Sequence, residues 1–80
     1  MHIIDTNGSE VARLRQQIET QLVAMRYGLT GLSSGSARHA FINARMENIG
    51  AYQNDLAHRL GENDADLLVY GLYNEIMDAP

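Results

Sequence analysis

From Val11 to Leu29, the apolar residues Val11, Leu14, Ile18, Leu22, Met25 and Leu29 follow one another at steps of 3, 4, 4, 3 and 4. A strand would alternate every second residue, so this spacing commits the segment to an α-helix with a single apolar stripe. Arg13, Arg15, Gln16, Gln17, Glu19, Thr20 and Arg26 fall largely off that stripe. A helix of this kind must bury its stripe against another element, and 80 residues leave room for one small core. Surface scaling gives about 13,000 Å² for the unfolded chain and about 4,800 Å² for a compact monomer, an upper bound of roughly 60% burial. A second domain and a large enzyme cleft are excluded on this length.

Two further helices follow. Gly28, Gly31 and Gly35, interleaved with Ser33, Ser34 and Ser36, mark a break, with Leu29 and Leu32 expected to tuck under the helix ends. Phe41, Ile42, Met46, Ile49, Tyr52, Leu56 and Leu60 then supply a broad apolar face, and five alanines between Ala37 and Ala57 favour helix. Gly50 reads as a close-packing site within this helix. Leu60-Gly61 reads as a C-cap, with Gly61 free to take the left-handed conformation. In the last segment Leu68, Leu72 and Ile76 form one row, and Val69, Tyr73 and Met77 an adjoining one. The expected helices span about 9–28, 37–60 and 63–78, preceded by an arm at 1–8. Ser9, Ser34 or Ser36, and Asn63 or Asp64 are the expected N-caps. Asn7-Gly8-Ser9 reads as a turn before the first helix.

The expected fold is therefore all-α, a helical hairpin plus a short third helix. Helices 2 and 3 show more apolar surface than two neighbours would cover in so small a chain, which predicts pairing into a dimeric bundle. Phe41, Ile49, Tyr52, Leu56, Leu68, Leu72 and Ile76 are the expected dimer or core surface. A compact monomeric three-helix bundle is the competing reading.

Charge and composition remove several classes of function. The chain has six Arg, no Lys and ten acids, for a net charge of -4. Residues 1–45 hold five Arg against three acids, and residues 46–80 hold Arg59 against seven. An acidic chain cannot displace counterions from phosphates unaided, so no nucleic acid is expected as partner. The acidity of the third helix also argues against a recognition helix. With no cysteine, disulfides and thiolate metal sites are excluded. The longest apolar run, Leu67 to Tyr70, is too short for a bilayer, and no secretory signal is visible at Met1-His2-Ile3-Ile4-Asp5. The expected location is cytoplasmic, with no membrane partner.

Along helix 2, His39, Asn43, Glu47, Asn54 and His58 fall on one side at helical spacing. A solvated face is the plain reading and a functional stripe the sharper one. Asp55 and His58 have the carboxylate-x-x-His spacing of bundle metal sites, although no second such motif exists. The Gly28–Ser36 segment, with Arg38 nearby, could hold a small anion at a helix start. No nucleophilic triad is recognisable, and no cofactor is expected.

Arg38-His39-Ala40-Phe41-Ile42-Asn43, followed by Met46 and Ile49, resembles the H-box of dimerising histidine phosphotransferases of the sporulation type. The resemblance covers residues 38–49 and implies a four-helix dimer with His39 as phospho-acceptor, flanked by Arg38 and Asn43. The position after the histidine, acidic in that family, is Ala40 here. The leading expectation is a non-enzymatic helical interaction or structural protein that self-associates as a homodimer. The alternatives are a phosphorelay-like or ligand-binding bundle using Arg38, His39 and Asn43, and an acidic antitoxin-like regulator.

Overall fold

The computed structural model describes residues 6–31 and 35–78, which form three helices: α1 (Thr6–Gly31), α2 (Gly35–Leu60) and α3 (Glu62–Met77). All three pack on one another, as the sequence predicts for an all-α chain. None of the described helices is long and apolar enough to cross a membrane.

The α1 stripe becomes one wall of the core. Leu14, Ile18, Leu22 and Met25 are buried, and Val11 packs against them. Ile49 and Leu56 of α2 and Ala65 and Leu72 of α3 complete the buried set. Phe41, Tyr52, Leu68 and Ile76 lie half-buried against it. All seven residues expected at a dimer or core surface are thus consumed by the core of a single chain. Among the described residues no polar or charged residue is buried. Asn48 donates to the Gln21 side-chain carbonyl at 3.2 Å, tying α2 to α1 at the edge of the core.

Several boundaries differ from expectation. α1 starts at Thr6, so Ser9 lies inside the helix rather than capping it. The expected turn at Asn7-Gly8-Ser9 is helix as well. α1 also runs past Gly28 to Gly31. Gly28 does not end the helix because it serves packing instead: a β-carbon there would meet the Phe41 ring at 2.5 Å. α2 starts at Gly35, which places Ser36 within its first turn. The expected cap Ser34 and the side chains of Leu29 and Leu32 lie outside the described residues, as does the middle of the anion-loop segment, residues 32–34.

Gly50 corrects another expectation. No atom lies within 4 Å of where its β-carbon would stand, and the residue is exposed. α2 continues through it because the flanking turns are held by Ile49 and Leu56.

Gly61 alone separates α2 from α3. Its N–H donates to the Ala57 carbonyl at 2.9 Å, and its own carbonyl accepts from the Ala65 N–H at 3.0 Å. It therefore finishes one hydrogen-bond ladder and begins the next. This works at φ 91 and ψ 157, a region essentially reserved for glycine. The φ is positive, but ψ 157 takes Gly61 out of the left-handed conformation expected of it, and Gly61 is itself the N-cap of α3, with no side-chain cap bond. Asn63 and Asp64 lie inside the first turn, where Glu62 and Asp64 face the positive end of the helix dipole.

The arrangement is long, at 52 × 24 × 23 Å. α1 and α2 are each about 39 Å long and α3 only about 24 Å, from the rise of 1.5 Å per residue. The Arg26 guanidinium donates to the Ile76 carbonyl at 2.9 Å, which fixes where α3 stops along α1. Beyond that level the hairpin consists of two helices only. The accessible surface is 5440 Å², against about 4,800 Å² for a compact monomer of this mass.

Candidate interaction surface

α3 lies antiparallel to α2 and joins it through Gln53, whose amide donates to the Asp66 carboxylate at 2.6 Å. Stepping seven residues back on α2 and seven forward on α3 brings Met46 level with Tyr73. These residues belong to one face of the molecule. The core-facing row of α3 holds Ala65, Leu72 and Ile76, with Leu68 and Val69 beside it. Leu67, Tyr70 and Tyr73 are spaced by three residues and turn away from that row. They are 67%, 66% and 43% exposed, and Met46 is 48% exposed.

A shallow groove of 460 Å³ runs between the two helices, lined by Gln53, Asp66, Leu67, Val69, Tyr70 and Tyr73. A second recess of 250 Å³ shares Gln53 and Asp66 with it and extends past Gly50, Asn54 and Ala57 to Glu62. A third, of 310 Å³, carries the seam on to His58. The exposed Gly50 leaves a gap in the wall of this seam. Tyrosine suits such a surface because its ring buries apolar area while its hydroxyl remains able to meet water.

The arginines lie elsewhere. Arg13 forms an ion pair with Glu10 at 2.6 Å and donates to Gln17 on the outside of α1. The Arg13 hydrogen bond is the main reason the Glu10 carboxyl is held below the usual range, and Arg59 of α2 adds to it across the α1 boundary. Arg45 stacks over the Phe41 ring, 5.3 Å from its centre, and its Nε is buried without a partner among the described residues. Arg15 lines the groove between α1 and α3, and Arg26 holds the end of α3. The α2/α3 seam therefore carries Glu62 and Asp66 and no arginine.

The polar residues singled out on α2 are dispersed. Arg38, His39 and Asn43 are exposed, and the structure gives none of their side chains a hydrogen-bond or ion-pair partner among the described residues. Arg38 and His39 stand on the part of the hairpin that projects past α3. Phe41, which follows His39 in the resemblance, turns inward onto Gly28 and Arg45. His58 donates Nδ1–H to the Asn54 carbonyl at 2.8 Å, one turn back on its own helix. Asp55 is exposed, and no group of three His, Cys, Asp or Glu gathers among the described residues. Asp55 and His58 thus meet no third ligand.

Leu67 and Tyr70 are what sequence reasoning missed. The row pattern of α3 marks it as apolar on two sides, and its two neighbours cover only one. The chain matches no known family, and comparisons with curated proteins and with solved structures likewise find no match.

Proposed function

We propose that this chain is a small, non-enzymatic helical interaction protein that self-associates through the α2/α3 seam. The observation that carries this reading is the exposed Leu67–Tyr70–Tyr73 row on a helix whose opposite side is core. Tyr70 and Tyr73 alone leave on the order of 200 Å² of largely ring surface in water. What favours an association surface is that these exposed residues are contiguous and border a groove, whereas ordinary exposed apolar residues are scattered singly. A two-fold pair of seams is the simplest closed arrangement, since the same patch then serves both copies.

The association is weak. The seam from Glu62 to Tyr73 is about 17 Å long by helical rise, short for a stable interface, which needs about 800 Å² from each partner. A reversible dimer at high micromolar concentration is the expected state, and a cytoplasmic location accompanies this reading. Light scattering tests it on the wild type and on a Leu67→Ser/Tyr70→Ser double variant. The wild type gains mass with concentration and the variant stays at 8.9 kDa. A wild type that remains monomeric throughout, or a variant that dimerises equally, overturns the proposal.

A further inference from the structure

We infer that the α2/α3 seam is also the docking site for a cationic amphipathic helix of another protein, which displaces the second copy. The inference rests on the seam being an association surface and identifies the partner it fits better. Two copies that each carry a net charge of -4 repel one another, and Glu62 and Asp66 put part of that negative charge on the seam itself. None of the seam's recesses is lined by an arginine: Arg26 holds the end of α3, Arg45 covers Phe41, and Arg15 meets Leu67 from the α1 side of α3. α3 itself has Glu62, Asp64, Asp66 and Glu75 and no basic residue. Like charges across an interface oppose pairing, while opposite charges steer and favour it.

The apolar part of the seam gives such a partner its anchor points. An amphipathic helix laid in a groove presents side chains at i, i+3, i+4 and i+7. Leu67, Tyr70 and Tyr73 offer an apolar floor of that length, and Glu62 and Asp66 lie at one end of it. A helix with leucines on one face and lysines flanking them satisfies both features together. A second copy of this chain satisfies only the first.

Salt separates the two occupants by sign. Screening relieves the repulsion between two acidic chains and weakens the attraction between an acidic seam and a basic helix. The seam-to-seam dimer therefore tightens as salt is added, and the cationic complex loosens.

The test uses the full chain and two fluorescein-labelled 18-residue helical peptides. One carries leucine and lysine at amphipathic spacing, and the other carries glutamate in place of every lysine. Anisotropy reads binding and light scattering reads the mass of the chain. The lysine peptide is expected to bind more than about tenfold tighter than the glutamate peptide, to weaken with salt and to split the dimer. Leu67→Ser/Tyr70→Ser, which leaves the charge unchanged, abolishes its binding, and Glu62→Gln/Asp66→Asn weakens it several-fold. Circular dichroism confirms that each variant is folded, as expected for changes at exposed positions.

Equal binding of the two peptides overturns the inference. So does undiminished binding to Leu67→Ser/Tyr70→Ser, which would reduce the effect to net charge. A dimer that forms but ignores the lysine peptide overturns this inference and leaves self-association standing. A chain that never dimerises yet binds the lysine peptide at the seam supports this inference and removes the self-association reading.

Discussion

The Phe41 ring presses so closely on Gly28 that a β-carbon at position 28 would lie 2.5 Å from its Cζ and 2.8 Å from one Cε. The ring cannot swing away freely, because Arg45 covers it from the next turn of α2. Gly28→Ala is therefore expected to destabilise by about 1–2 kcal/mol, although alanine is the better helix former. Chemical denaturation measures the change. Combining it with Phe41→Leu, which shortens the offending side chain, recovers part of the loss and gives a non-zero coupling energy.

Gly50 and Gly71 behave oppositely. Both sit within helices, and neither β-carbon would meet anything within 4 Å. Gly50→Ala and Gly71→Ala are each expected to stabilise by about 0.5–1 kcal/mol, raising the melting temperature by several degrees in a chain this small. A loss of stability at Gly50 would show that its gap in the seam is occupied in solution.

Gly61→Ala tests the joint between α2 and α3. At φ 91 and ψ 157 any side chain is strained, and both ladder bonds of Gly61 depend on that conformation. The expected cost is about 1–3 kcal/mol, read by thermal melting. Because no atom crowds the β-carbon site, the cost is conformational, and D-alanine introduced by synthesis restores most of the lost stability.

The fold was legible because α1 writes its burial directly into its spacing. Leu14, Ile18, Leu22 and Met25 are all enclosed, and Ile49, Leu56 and Leu72 join them as the apolar rows imply. Helix ends were less legible. Ser9, Asn63 and Asp64 are good caps by residue type, yet α1 begins before Ser9 and Gly61 initiates α3 from backbone alone. Glycines were harder still, since Gly28 and Gly50 look alike in sequence. Only the placement of Phe41 decides which of them is a contact.

The seam was half legible. Width of the apolar sector on α3 announces surplus surface, but sequence cannot say which row the neighbours will leave open. Leu68 and Ile76 go inward while Leu67 and Tyr70 stay out, because α1 and α2 approach α3 from the same side. The polar stripe of α2 illustrates the converse. Shared periodicity puts His39, Asn43 and His58 on related sides of one helix, but chemistry needs convergence from other helices, and α3 ends before it reaches His39.

Leu67→Ser/Tyr70→Ser should leave folding intact. Both side chains are two-thirds exposed, so their removal is expected to change stability by less than about 0.5 kcal/mol while abolishing association. A large loss of stability would mean that these residues support the fold rather than a partner.

The most direct measurement is residue-resolved chemical-shift change on raising the concentration of the full chain. Shifts are expected to concentrate at Met46, Gly50, Leu67, Tyr70 and Tyr73, with Val23 and Tyr27, exposed on α1, unchanged. Shifts centred on Val23 and Tyr27, or none anywhere while the mass increases, would contradict association through the seam.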